Sequence, residues 1–149
     1  MNDSYDNLKI ENQICFPLYA CAKEVTRRYK PLLDKLDLTY TQYIVMMVMW
    51  EYKKMNVKEL GEKVYLDSGT LTPLLLKLEA KGYISRTKDK DDARNLILEV
   101  TKKGLDLRRK ATQVPQEMSK CVKLSLEEAQ VLYKTLYKIL DYFKEEGDN

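Results

Sequence analysis

Between Val57 and Thr101 the spacing of apolar residues changes from three-and-four to two, and this change restricts the fold more than any other feature of the chain. Val57, Leu60, Gly61 and Val64 predict a short helix opened by Asn56-Val-Lys-Glu59, a capping box. Leu71, Leu74, Leu75 and Leu78 follow the same helical rule, and Gly82 is placed to end that second helix. Pro73 is expected near its start, where a missing N–H costs least, with Thr72 as N-cap and Pro73 as first helical residue an open alternative. The period then becomes two. Residues 83–88 and 96–101 read as strands, the second turning Leu96, Leu98 and Val100 inward, and the polar stretch DKDDARN joins them as a hairpin tip.

Longer helices flank this segment. One is expected from about Asn12 to Asp34, with Ile14, Leu18, Cys21, Val25 and Leu32 as its apolar stripe. Thr39-Tyr-Thr-Gln42 opens a strongly apolar helix to about Tyr52. Another runs from about Lys102 to Val114, where Pro115 interrupts it. Ser125-Leu-Glu-Glu128 opens the last, whose residues Leu126, Ala129, Tyr133, Leu136, Leu140 and Phe143 form a heptad-like seam. The terminal stripes exceed what a small centre could cover, so they are expected to pack on each other and on a second copy; a monomer with both helices folded inward is the alternative.

The expected class is mainly α with a small β-hairpin wing, in one domain over residues 1–149. About 53–101 would be the DNA-binding lobe, a winged helix-turn-helix, and about 8–36 and 102–146 the dimerisation helices. With 44% hydrophobic residues the chain can fill a core. Its longest apolar run, Ile44 to Trp50, is too short for a bilayer, and nothing resembles a signal peptide; a cytoplasmic protein without membrane contact is expected. There is no histidine, which removes His-based triads and the commonest metal ligand. Three cysteines without a CxxC pair favour neither a disulfide scaffold nor a zinc site, and no cofactor is expected.

Charge marks the middle as the functional face. Residues 52–110 carry 15 basic and 9 acidic side chains, while the stretches before and after carry net −1 and −2. A basic helix-helix-hairpin suits double-stranded DNA. The second helix would enter the major groove, offering Ser68, Gly69, Thr70, Thr72 and Lys77. The wing would offer Arg86, Lys88, Lys90 and Arg94, with Arg94 suited to a minor groove. Asp92 would repel DNA unless it holds the Arg94 guanidinium in a salt bridge.

The chain resembles the MarR family of transcriptional regulators, and within it the OhrR group of organic-hydroperoxide sensors. NQICF (Asn12 to Phe16), YKPLLDKLDLTYTQY (Tyr29 to Tyr43), YLDSGTLTPLL (Tyr65 to Leu75) and DDAR (Asp91 to Arg94) carry the resemblance, which extends over nearly the whole chain. It implies a homodimer on a pseudo-palindromic operator, with the terminal helices at the interface.

It also implies a role for Cys15, near the start of the first helix, where the helix dipole favours a thiolate. Tyr19 and Tyr29 each lie about 40° from Cys15 around the helix, but Tyr29 is about 21 Å further along the axis, out of reach of its own Cys15. It could reach the Cys15 of an antiparallel partner. By resemblance, Tyr29 and Tyr40 hydrogen-bond the reactive sulfur across the dimer, and the apolar neighbours Ile14 and Phe16 favour an organic hydroperoxide as effector. Pro17, two residues after the sensor, is a departure from the resemblance that bears on where the helix begins. Cys21 reads as packing. Cys121 follows Val114-Pro115 near the place of a second, resolving cysteine in the two-cysteine type, whereas the one-cysteine type is capped by a low-molecular-weight thiol. Two competing readings stand beside this one. In one, a small aromatic ligand releases the regulator and Cys15 is incidental. In the other, the chain is a thiol peroxidase turning over at Cys15, against which a basic winged helix is of no use to an enzyme.

Overall fold

The computed structural model describes residues 5–147, as seven helices and three short strands in two compact units, one ending at Met118 and the next beginning at Ser119. In order these are α1 Cys15–Asp34, α2 Tyr40–Tyr52, β1 Lys54–Asn56, α3 Val57–Val64, α4 Ser68–Ala80, β2 Ile84–Lys88, β3 Leu96–Val100, α5 Lys102–Ala111, α6 Gln113–Cys121 and α7 Leu126–Gly147. The core of the first unit gathers α2, α3, α4, the sheet and α5. Val45, Met46, Met49, Leu60, Leu78 and Leu98 have no exposed surface, each burial favouring the fold by roughly 1.5–3 kcal/mol.

The expected capping boxes at Thr39/Gln42 and Asn56/Glu59 are both formed. Gly61 lets α3 approach the turn into α4: a β-carbon there would lie 2.9 Å from the Leu66 carbonyl oxygen. At the far end of α4, Gly82 takes φ +75°, Gly82 N–H donates to Glu79 O and Tyr83 N–H to Leu78 O. This is the left-handed stop expected from the sequence.

The structure corrects several boundaries. The first α-helix starts at Cys15, not Asn12, after two 3-10 turns at Asp6–Leu8 and Ile10–Asn12. Asn12 and Gln13 use their side-chain amides on the carbonyls of Asp6, Asn7 and Lys9. With the helix beginning at Cys15, Pro17 falls in the first turn, where its missing N–H has no intrahelical partner to lose. Helix α4 is capped by Asp67, whose carboxylate accepts from Thr70 N–H at 2.8 Å, so Thr72 is not the cap and Pro73 is the sixth helical residue. The hairpin is part of a three-stranded antiparallel sheet of order β1-β3-β2, because Lys54–Asn56 pairs with Glu99–Ile97. The break after α5 falls at Thr112, ahead of Pro115, which lies in the first turn of α6. A continuous helix would need Pro115 to donate to Ala111 O, and the ring would clash there.

The α1 stripe is covered only toward its C-terminal end, where Val25 and Leu32 are half-buried against the core. Ile14 is 83% exposed, Leu18 and Cys21 are exposed, and in α1 only Leu33 is fully buried. Cys21 is therefore not a packing residue of the single chain. In the second unit α7 is opened by the expected Ser125/Glu128 box, runs 22 residues and has no buried residue. Tyr133 and Tyr137 pair on its surface with centroids 4.7 Å apart.

Candidate functional site

The first turn of α4 presents Ser68, Gly69 and Thr70, and the same exposed face continues through Thr72 and Lys77. Asp67 would be an acidic group at the tip of a DNA-reading helix, but its carboxylate is turned back as the cap. Hydrogen bonds from Thr70, backbone first, hold it below the ordinary carboxylate range. Thr72 Oγ1 donates to Ser68 O at 2.8 Å, which fixes its rotamer and leaves its lone pairs outward.

In the wing, Arg94 is 91% exposed and its guanidinium rests on Asp92, with Nε–Oδ1 at 3.1 Å. Asp92 Oδ1 also accepts Arg94 N–H at 3.0 Å, so one carboxylate fixes both the backbone and the side chain of the tip residue. The Arg94 hydrogen bonds, side chain first, lower the Asp92 pKa. Lys88 and Lys90 are exposed. Arg86 differs from the expectation. It shares the inward parity of Ile84, pairs with Leu98 across the ladder, and lays its guanidinium on Glu79 of α4 at 2.8 Å. Arg86 thus ties the wing to α4 and is half-buried, so it is not an open cation of the tip.

Cys15 is the first residue of α1 and is exposed, as is Tyr19. Tyr29, at the far end of the same helix, meets Tyr40 at the start of α2 with ring centroids 4.7 Å apart, and Tyr43 at 5.9 Å. Burial raises the pKa of all three phenols, with the neighbouring tyrosine adding to it at Tyr29 and Tyr43. They remain protonated donors at neutral pH. Cys121 is the last residue of α6 and is exposed. Among the described residues no group of three or more Cys, Asp or Glu side chains is placed to hold a metal ion, and no helix is long and apolar enough to cross a membrane.

Two residues that organise this site escaped the sequence reading: Asp67 and Glu79. Asp67 had a signal, since Asp before Ser-Gly-Thr and an apolar run is a good N-cap; Pro73 drew attention downstream. Glu79 acts through Arg86, a tertiary partner that no local pattern encodes.

Residues 27–110 match the family described as transcriptional regulator SarA/Rot. The chain is 43% identical over 141 residues to the organic hydroperoxide resistance transcriptional regulator of Bacillus subtilis (strain 168), covering 95% of this chain and 96% of that one. It is 42% identical over 132 residues to the HTH-type transcriptional regulator SarZ of Staphylococcus saprophyticus, covering 89% and 90%. Among solved structures, reduced AbfR bound to DNA matches with a TM-score of 0.77 at 28% identity, over 93% of this chain and 96% of that one. AbfR has also been solved overoxidised on DNA, with a TM-score of 0.75, and with a disulfide formed, with a TM-score of 0.62. Likeness of this degree over nearly the whole length settles descent: the chain belongs to the SarA/Rot family of transcriptional regulators, as a DNA-binding winged-helix protein of the MarR type related to the organic hydroperoxide resistance regulators and to SarZ.

Proposed function

We propose that the protein is a cytoplasmic repressor that binds a pseudo-palindromic operator as a homodimer and leaves it when an organic hydroperoxide oxidises Cys15. The observation that carries this reading is the exposed Cys15 at one end of α1, with Tyr29 and Tyr40 in tilted ring contact as protonated phenols at the other. An antiparallel second copy would bring the two ends together, and the exposed part of the α1 stripe and the stripe of α7 are the surfaces such a copy would bury. Residues about 8–36 and 102–146 are then the dimerisation helices, and about 53–101 the DNA-reading lobe. Ser68, Gly69, Thr70, Thr72 and Lys77 read the major groove; Lys88, Lys90 and Arg94 meet the flanking backbone and minor groove, Asp92 orienting Arg94.

The chemistry is a two-step oxidation. The Cys15 thiolate attacks the terminal peroxide oxygen; the O–O bond breaks, Cys15 becomes a sulfenic acid, and the leaving alkoxide takes a proton from solvent to depart as the alcohol. A second thiol then attacks that sulfur, forming a disulfide and releasing water. It comes from Cys121 of the other protomer or from a low-molecular-weight thiol. Overoxidised AbfR has been seen on DNA and AbfR also forms a disulfide, which supports placing release at the disulfide step rather than at sulfur oxidation itself.

The test is DNA binding of reduced and cumene-hydroperoxide-treated protein, read by fluorescence anisotropy. The wild type should lose its operator and Cys15→Ser should stay bound. Release of Cys15→Ser by peroxide would end the proposal. Release by a small aromatic ligand, with peroxide inert, would favour the ligand-responsive reading. A non-reducing gel separates the two trapping routes. A covalent dimer absent in both Cys15→Ser and Cys121→Ser assigns Cys121. A monomer that gains only a small-thiol adduct excludes it.

A further inference from the structure

Lys81 closes helix α4 as its C-cap residue, at the opposite end from Ser68. Its ammonium donates to the Asp37 carbonyl, stands 3.2 Å from the Asp37 carboxylate and reaches Gln42 Oε1 at 3.4 Å. Asp37 lies in the corner between α1 and α2 in a left-handed conformation, φ +53°. Gln42 is 3% exposed, the one fully buried polar side chain among the described residues. Its Oε1 also accepts Thr39 N–H at 3.1 Å, in the capping box that starts α2. Tyr40 is the first residue of that helix. The ammonium therefore holds the end of α4 to the few residues that set the position of Tyr40.

The other side of the joint is equally tied. Lys103 Nζ donates to Lys81 O at 2.7 Å and lies over the Tyr83 ring, while Thr101 Oγ1 donates to Gly82 O. The Tyr83 phenol is raised by burial first and by the Asp37 carboxylate second. A movement of the corner has little room to be absorbed between Tyr40 and α4.

We propose that Lys81 is a positioning residue that passes displacement of the α1–α2 corner to the recognition helix, so that events at Tyr40 change how α4 meets DNA. The proposal rests on the sensing role given to Tyr40 above. Lys81 takes no part in the sulfur chemistry and touches no base; it acts through Asp37 and Gln42.

The test uses the full-length protein and a DNA duplex selected by the reduced wild type from a random-sequence pool. Lys81→Met keeps the stem and removes the charge; Lys81→Arg keeps a donor. Reduced Lys81→Met should bind within about threefold of wild type, and its Cys15 should oxidise at the wild-type rate. The affinity lost on oxidation should shrink at least tenfold, with Lys81→Arg recovering most of it. Because the readout is a ratio within each variant, a general loss of stability does not imitate it. An undiminished loss on oxidation in Lys81→Met overturns the proposal. If the wild type itself keeps its DNA after oxidation, the sensing reading fails instead, and a double-mutant cycle decides the coupling. Tyr40→Ala should then change DNA affinity at least threefold more with Lys81 present than in Lys81→Met, and equal effects in both backgrounds overturn it.

Discussion

Gly104→Ala sets two calculable effects against each other. Gly104 is the third residue of α5, where alanine would favour the helix by up to about 1 kcal/mol. A β-carbon there, however, would stand 2.2 Å from the Tyr83 carbonyl oxygen and 2.8 Å from Val100 Cγ2. It would have to retreat about 0.8 Å to reach even a 3.0 Å approach, beside the Thr101 N–H to Tyr83 O hydrogen bond that closes the sheet onto α5. Such overpacking costs about 1–3 kcal/mol. The same retreat moves Gly104 O, which accepts the buried Trp50 indole N–H at 2.8 Å. Stranding that donor adds about 1–3 kcal/mol. The net expectation is a loss of about 1–5 kcal/mol, centred near 3. The assay is urea unfolding at one fixed chain concentration, followed by the fluorescence of Trp50, the single tryptophan. With a slope of about 2 kcal/mol/M, the midpoint should fall by about 1.5 M. Gly69→Ala is the control, since its β-carbon would meet only Asp67 Oδ1 at 3.2 Å, and it should shift stability by less than about 1 kcal/mol. A Gly104→Ala midpoint at or above wild type would show that helix propensity wins and that the contact is slack.

Arg94→Ala should weaken operator binding by about 1–3 kcal/mol with a shallower salt dependence, and Asp92→Ala should reproduce part of that loss; tighter binding by Asp92→Ala in a salt titration would refute the orienting role. Tyr29→Phe and Tyr40→Phe should slow Cys15 oxidation several-fold in stopped-flow with cumene hydroperoxide while leaving reduced DNA affinity nearly intact, and unchanged rates would remove both from the sensor. Asp67→Ala should lower the denaturant midpoint through loss of the α4 cap, whereas Asp67→Asn should change it little. The folded pKa of Asp67 is depressed, so its contribution is complete at neutral pH and fades as pH falls through that lowered value; a wild-type-minus-Asp67→Ala stability difference that grows on acidification would contradict this sign. The raised phenols of Tyr29, Tyr40 and Tyr43 have the opposite sense, and their stabilisation should be lost as pH rises above the ordinary tyrosine value, which denaturant midpoints at pH 8 and above would reveal.

The α3–α4–hairpin succession was legible because each piece is encoded locally: Asn56 and Glu59 cap one helix, Gly82 stops the next, and the alternation at Leu96, Leu98 and Val100 makes a strand. Strand β1 was not legible. Lys54-Met-Asn56 has three residues and becomes a strand only because Ile97–Glu99 lies alongside. The outward face of α4 followed from helical period alone, yet Arg86 looked the same as Lys88 in the sequence. Only the sheet places Glu79 within 2.8 Å of it. The aromatic cluster had a similar limit. Helix geometry separated Tyr29 from its own Cys15, but the pairing of Tyr29 with Tyr40 depends on how α2 folds back on α1.

The connections after the first three α-helices each contain a left-handed residue that is not glycine: Asp37 at φ +53°, three residues beyond α1, and Lys53 at +66° and Tyr65 at +55°, the C-caps of α2 and α3. Each is followed two or three residues later by the capping residue of the next helix, Thr39, Asn56 and Asp67. Such backbone costs a non-glycine residue about 1–2 kcal/mol, so global packing imposes these stops. In mechanical terms the chain from α1 to α4 is a train of stiff rods with almost no play at the joints. A rod that tilts cannot be taken up by slack in a loop and must turn the next. Lengthening any of the three corners by two or three glycines would add that play, leaving each rod intact while uncoupling its neighbours.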